Sequence, residues 1–202
     1  MIDTLIQDFL IIWATIDPIG TMALFAGLTA KLSTSERRKV AFRTIAYASL
    51  VLVGSIVIGQ LLLGAMGISL LSFQLAGGII LFLFGLQMVF SSGNGDEHED
   101  GKHDMAVFPL AIPSTATPGA ILAVILLTDN QTNPIHEQVA TTLVMLVVLL
   151  CTLFLLLLSE RIIKVIGLSG ASILTRIMGM ILTALSVEFV MEALGVAGWI
   201  KS

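Results

Sequence analysis

Charged side chains are scarce in this 202-residue sequence, at 12% of positions, where a soluble domain carries about 25%. With hydrophobic residues at 56%, that scarcity excludes a soluble globular domain. At about 20 apolar residues per crossing, the chain holds material for five or six transmembrane helices and none for a separate catalytic or nucleotide-binding domain. Cysteine is nearly absent. Cys151 stands alone in an apolar run, so no internal disulfide forms and no redox compartment follows. A dense basic tract is missing and the net charge is −4, which excludes nucleic acid as a partner. Gly101-Lys102 is followed by His103 and has no glycine five residues earlier, so a phosphate-binding loop is absent and nucleotide hydrolysis within the chain is excluded. The spans carry no nucleophile with a base and no paired metal ligands, so neither an enzyme nor a resident cofactor or metal is expected.

What is present is six stretches of spanning length with few charges, at about 5–28, 42–63, 68–90, 106–127, 138–158 and 173–194. The first is read as a retained helix rather than a signal peptide, because no Lys or Arg precedes Lys31 and the run is too long for a signal core. Half of the charged residues lie in two short loops, one with Lys31, Glu36, Arg37, Arg38, Lys39 and Arg43, the other with Asp96, Glu97, Glu99, Asp100, Lys102 and Asp104. With six spans, the loops after the first, third and fifth share a side. They hold nine of the ten basic residues, and the opposite side has Lys201. This bias places the basic side in the cytoplasm and both termini outside. A five-span arrangement would divide the same charges between the two sides.

The two halves carry a weak repeat. Asp17-Pro18-Ile19-Gly20 aligns with Thr117-Pro118-Gly119 at an offset of 100, Gln74-Leu75-Ala76-Gly77 with Arg176-Ile177-Met178-Gly179 at 102, and Glu36 with Glu137 at 101. Three spans per half is an odd number, so the second half enters from the opposite face. That predicts an all-α membrane protein of two inverted three-helix repeats, 1–95 and 106–202, joined by an acidic linker at 96–105.

Pro18 and Pro118 fall near the middle of spans one and four. Each lacks an amide proton and displaces the carbonyl four residues earlier, that of Ala14 or Ser114. Asp17 and Thr117 read as N-caps, each followed by proline at the first helical position. Both spans are therefore expected to break into half-helices. Free amides near Gly20, Thr21, Gly119 and Ala120 would favour an anion, and the freed carbonyls would favour an ammonium group. Glycine at 20 and 119 would let a ligand approach the backbone. Opposite partial charges in one cavity suit a zwitterion, and Ser114, Thr115 and Thr117 add hydroxyls. The plainer alternative is that each proline only kinks its helix. Pro109 and Pro113 make span four still more irregular.

Asp17 is a carboxylate near mid-membrane, where charge is costly and usually functional. It reads as a helix cap, an ammonium ligand or a proton carrier. Glu188 and Glu192 share a face of span six. Glu188 is deep enough for a proton or cation site unless it lines a solvated vestibule, and Glu192 reads as interfacial. Gln60, Gln74 and Gln87 are expected to bond between helices, while Ala76, Gly77, Gly78, Ala23 with Gly27, and Gly119 with Ala123 would permit close packing. Arg43 and Arg176 are expected to snorkel. His136 has no visible partner, and the acidic run 96–104 reads as a solvated linker rather than a metal site.

Asp17-Pro18-Ile19-Gly20, Phe108-Pro109-Leu110-Ala111-Ile112-Pro113, Thr117-Pro118-Gly119-Ala120-Ile121, Ala76-Gly77-Gly78-Ile79 and Thr175-Arg176-Ile177-Met178-Gly179 together resemble the MarC family over essentially the whole chain. The resemblance implies a six-span bacterial inner-membrane protein, and some family members are described as exporters of small neutral amino acids such as alanine and glycine. Two departures fall in the expected cavity: Thr21 stands where members commonly have Asn, and Ala116-Thr117 where they have a small residue and Gly. They bear on substrate identity more than on fold.

The expected function is secondary transport, with export of a small neutral amino acid and proton coupling through Asp17 or Glu188. The expected binding residues are Asp17, Pro18, Gly20, Thr21, Ser114, Thr115, Thr117, Pro118, Gly119 and Ala120. The expected partners are the lipid bilayer and a zwitterionic substrate, with homo-oligomer formation left open. A passive channel for a small solute or ion, and a non-transporting membrane subunit, remain as alternatives.

Overall fold

The computed structural model describes residues 2–90, 104–130 and 132–196, so the acidic run 96–103 and Lys201 lie outside the described residues. Among the described residues the chain is helical without strands: α1 (Ile2–Ile16), α2 (Pro18–Leu28), α3 (Thr34–Ala65), α4 (Leu70–Phe90), an irregular wide-turned segment Ala106–Thr115, and α5 (Pro118–Leu127). Two further helices follow, α6 (Ile135–Gly167) and α7 (Ser169–Ala193). Five of these units, α1 with α2 counted as one, are long and apolar enough to cross a membrane. The wide segment and α5, bent by 55°, make a sixth if taken together.

Local chemistry explains the boundaries. Ser33 and Glu36 form a reciprocal capping box, in which Ser33 N donates to Glu36 Oε2 at 2.9 Å and Glu36 N donates to Ser33 Oγ at 3.4 Å. This starts α3 at Thr34 rather than near 42, so the basic residues ride on its first turns instead of in a loop. At the other end of α6 the helix continues past 158 because Glu160 and Lys164, one turn apart, pair at 2.7 Å. Gly167, at φ 70° and ψ 170°, a backbone open to glycine, separates α6 from α7 and removes most of the expected loop. Phe108 and Ile112, each before a proline, are extended, which prevents a regular helix over Ala106–Thr115.

Side-chain contacts give the direction of each helix. Asp8 with Thr141 joins the starts of α1 and α6. Gln60 donates to the carbonyls of Ile125 and Thr128 at 3.3 and 3.0 Å, joining the ends of α3 and α5. Gln74 donates to Phe189 O and Glu192 Oε2 at 3.3 and 3.0 Å, so α4 and α7 run antiparallel. Arg37 with Glu160, at 2.8 Å, makes α3 and α6 antiparallel. Gln60 and Gln74 thus bond between helices as expected, whereas Gln87 is exposed. Glu192, read as interfacial, is exposed and accepts from Gln74.

The buried apolar residues form two clusters. One joins Ile12, Phe25, Leu52, Leu110, Val124 and Leu149, gathering α1, α2, α3, the wide segment, α5 and α6. The other joins Leu81, Met88, Leu122, Met178 and Leu182, setting α4 and α7 against α5. Gly85 and Gly179 bring α4 and α7 into backbone contact there, since a Cβ on either would lie 2.9 Å from the other's carbonyl oxygen. Gly77 and Gly78 are also contact positions, against Leu122 and Val190, while Gly27 has nothing within 4 Å and is no packing site.

Candidate functional site

The two proline motifs meet at the centre of the bundle. Pro18 disfavours the right-handed helical backbone at the residue before it, and Asp17 takes the left-handed conformation, φ 51° and ψ 67°, which Asp tolerates better than most residues. Asp17 is 5% exposed. Its Oδ1 accepts the Gly20 amide at 3.1 Å, and a Cβ on Gly20 would collide with the carboxylate. Gly20 therefore makes room for the Asp17 carboxylate. The break is a single residue, bridged by Asp17 N to Trp13 O at 3.1 Å and Thr21 N to Asp17 O at 3.0 Å.

Thr117 is a more ordinary cap. It is extended at φ −66° and ψ 157°, and its Oγ1 accepts the Ala120 amide at 2.8 Å. The same hydroxyl donates across the bundle to Thr15 O at 2.6 Å. In return Thr21 Oγ1 donates to Ser114 O at 3.0 Å and accepts from Ser114 Oγ at 3.1 Å. The residue before one break thus pairs with the residue after the other, in both directions, as two antiparallel segments crossing must do. Thr21 thus satisfies the carbonyl that Pro118 releases, and Thr117 takes the carbonyl one residue after the Ala14 carbonyl that Pro18 releases.

At Gly20, Thr21, Ala120 and Ser114 this geometry corrects the expectation of bare backbone groups. The Ser114 carbonyl is occupied by Thr21, and the amides of Gly20, Thr21 and Ala120 are occupied by Asp17 and Thr117. The sequence shows where a helix loses its partners but not that the opposite motif supplies replacements. Of the ten expected binding residues, Asp17, Gly20, Thr21, Ser114, Thr117 and Ala120 are joined by these bonds. Thr115 turns back to Leu110 O at 2.8 Å. Gly119 lies under Leu81, a Cβ there colliding with its Cδ1. Pro18 is buried and Pro118 exposed, so the two motifs sit in unlike surroundings. Glu188 is exposed on α7, whereas Asp17 is buried. Arg43, expected to snorkel, pairs with Asp104 and lies 5.9 Å over the Tyr47 ring.

Thr117→Val removes the hydroxyl that serves both Thr15 O and Ala120 N while keeping the side-chain shape. The loss expected is about 2 kcal/mol, and Thr117→Ser is expected to restore it. Thermal unfolding of the purified protein in detergent reads both.

Sequence reasoning missed Asp8, in α1. It is 5% exposed, and its Oδ2 accepts the Thr141 hydroxyl at 2.6 Å. It lines a cavity of about 370 Å³ between α1, the end of α5 and the start of α6, with Gln7, Asn133, His136 and Glu137. The sequence signal was present, as Asp8 lies four residues before Ile12 and seven before Thr15 on the face that α1 buries. His136 has a neighbour after all, Glu137 Oε1 at 3.9 Å. Neither this cavity nor those lined by Arg38 and by Gln60 reaches Asp17. Thr15, Asp17, Thr21 and Thr117 are buried at the centre, and these cavities lie toward the two ends of the bundle.

Long apolar helices, exposed leucines and valines along them and broken, interlocked segments at the core define a multi-pass integral membrane protein. Comparison with known proteins names the group. Residues 2–199 match the family described as MarC family integral membrane protein. The chain is 33% identical over 195 residues to a UPF0056 membrane protein of Methanocaldococcus jannaschii, covering 94% of this chain and 95% of that one. It is 32% identical over 196 residues to one of Archaeoglobus fulgidus, at 93% and 90% coverage. A Buchnera aphidicola relative, also a UPF0056 membrane protein, is 29% identical over 198 residues and covers 98% of both chains. No solved structure matches. The chain belongs to the MarC family.

Proposed function

We propose that the protein is a secondary transporter of small neutral amino acids, held here in a closed state. The observation that carries this reading is the central interlock. The Gly20 and Ala120 amides and the Thr15 and Ser114 carbonyls, groups that a zwitterion would need, are present and are occupied by protein groups of the same chemistry. The Asp17 carboxylate stands on the Gly20 amide where a substrate carboxylate would stand, and the Thr21 and Thr117 hydroxyls stand on the Ser114 and Thr15 carbonyls where an ammonium would donate.

Opening the two motifs would exchange these internal partners for substrate. The amides of Gly20, Thr21, Gly119 and Ala120 would take the carboxylate, and Asp17 with the two carbonyls would take the ammonium. A buried charge that keeps one amide partner gains most from such a ligand or from a proton. Pro18 and Pro118 supply the interruptions, and Ser114 and Thr115 the remaining hydroxyls.

Helix directions support an inverted repeat. Calling the direction of α1 down, the contacts among α1, α3, α5 and α6 make α3 up, α5 up and α6 down. The short turn from Ala65 to Leu70 makes α4 down and its antiparallel partner α7 up. Spans two and five lie together as α3 and α6, and spans three and six as α4 and α7. Rocking of residues 1–95 against 106–202 would break the interlock first on one side and then on the other. By the basic excess, the end with Arg37 and Arg161 faces the cytoplasm of the inner membrane, and the Asp8 cavity faces outward. Proton coupling falls to Asp17 rather than to the exposed Glu188, and the chain has no enzymatic role.

Protein purified into liposomes tests this. Saturable exchange of labelled alanine, glycine or serine, accelerated by a proton gradient, is expected. No exchange of any of the three overturns the reading. Flux that is linear in substrate and indifferent to the gradient points instead to a passive channel.

A further inference from the structure

The basic end of the bundle carries a cleft that the transport reading does not use. It has a volume of about 610 Å³, is lined by Phe25, Arg38, Phe42, Phe154, Leu157 and Arg161 among others, and runs into a second hollow that shares Thr34, Arg38 and Phe42. Its chemistry is layered. Arg38 is followed one turn later on α3 by exposed Phe42, and Arg161 is preceded one turn earlier on α6 by exposed Leu157 and Leu158. Because α3 and α6 are antiparallel, both steps lead from the guanidinium toward the middle of the bundle. Phe154, a further turn along, is exposed on the same wall.

The nearby charges are unequally matched. Glu160 is shared by Arg37 at 2.8 Å and Lys164 at 2.7 Å, so its negative charge is already answered twice. Arg38 and Arg161 have no ion-pair partner among the described residues. Thr34 and Ser35, in the first turn of α3, border the two hollows, the helix end itself being capped by Ser33 and Glu36. A cleft with two guanidiniums that are unpaired among the described residues, and with aromatic and leucine side chains below, is complementary to an anion joined to a hydrocarbon chain. Bound phosphate alone would leave the apolar wall uncovered, and a zwitterionic phospholipid would bring its own cation beside the two arginines.

We propose that this cleft is a binding site for one anionic phospholipid. Its phosphate lies between Arg38 and Arg161 and within reach of Thr34, and one acyl chain lies along Phe42, Phe154 and Leu157. Phe25, on α2 beyond the Asp17 break, forms its floor. An occupied cleft therefore braces α2 against α3 and α6. The site stands independently of whether the protein transports amino acids.

Native mass spectrometry of the full-length protein, titrated with phosphatidylglycerol or phosphatidylcholine of identical acyl chains, tests it. A single tightly held phosphatidylglycerol is expected, with at least tenfold weaker phosphatidylcholine. Arg38→Ala with Arg161→Ala is expected to weaken phosphatidylglycerol binding at least tenfold, while Lys164→Ala, whose partner Glu160 keeps Arg37, changes it less than twofold. Equal binding of the two lipids by the wild-type protein overturns the proposal even if the double variant does not fold. So does a double variant that folds and keeps its lipid. Displacement by glycerol phosphate at the concentration of lipid needed for saturation also overturns it, since that result would make this a site for a soluble phosphate.

Discussion

Asp17→Ala is expected to lose both stability and transport, and Asp17→Asn to lose transport alone. Alanine removes the acceptor of the Gly20 amide and must hold φ 51° without a polar side chain to stabilise it. The cap and the left-handed backbone together contribute about 2 kcal/mol, which lowers the unfolding midpoint by about 4–8 °C. Asparagine accepts the same amide bond and tolerates the same backbone, so its midpoint is expected to stay within about 2 °C of wild type. It cannot carry the negative charge that would face a substrate ammonium. Removing one partner of a buried charged pair costs about 2–5 kcal/mol, so exchange is expected to fall on the order of a hundredfold. Thermal unfolding and liposome exchange, measured on the same preparations, separate the two roles. An asparagine variant exchanging at the wild-type rate would reduce Asp17 to a cap. An alanine variant as stable as wild type would remove the cap as well.

The largest structural effect is expected at the contact between α4 and α7. A Cβ on Gly85 would lie 2.5 Å from Thr183 Oγ1 and 2.9 Å from Gly179 O, and one on Gly179 would lie 2.8 Å from Met88 Cβ and 2.9 Å from Gly85 O. A side chain can rotate away from such a clash, but a backbone oxygen cannot, so the helices must separate along their length. Gly85→Ala and Gly179→Ala are each expected to cost about 3 kcal/mol. The double variant should cost less than the two together, because the first separation already makes space for the second methyl group. Gly27→Ala serves as control: with nothing within 4 Å, it is expected to be neutral or to stabilise α2 by up to about 1 kcal/mol. Additive losses at 85 and 179, or equal losses at 27 and 85, would contradict this account of the contact.

Much of the fold was legible because the membrane imposes a simple rule. Runs such as 68–90 must be helical, since the bilayer offers no other partner for their backbone groups, and α4 lies within two residues of that range. The ends of α3 and α6 were less legible. Loops were assigned where charges cluster, but a helix crosses its own charged turns when a capping box or an ion pair one turn apart supports it, as Ser33 with Glu36 and Glu160 with Lys164 do. Close packing was only partly legible. Small residues at 77 and 78 were recognised, yet Gly27 has the same appearance in sequence and faces empty space. Whether a glycine matters depends on what stands opposite it, and spacing along one helix does not contain that.

The centre divides in the same way. The sequence by itself determined that the helices lose their regular bonding at Asp17-Pro18 and Thr117-Pro118, because proline has no amide proton wherever it sits. It likewise determined the membrane setting and the concentration of positive charge toward one side, which are properties of composition and order. Only the tertiary structure decided that the two breaks face each other, that Thr21 and Thr117 reach across 93 and 102 positions of chain to the Ser114 and Thr15 carbonyls, and that Asp8 is bonded to Thr141 while Glu188 is left exposed. Those outcomes depend on which helix faces supply hydrogen-bond partners once water is excluded, and it is packing that selects the faces.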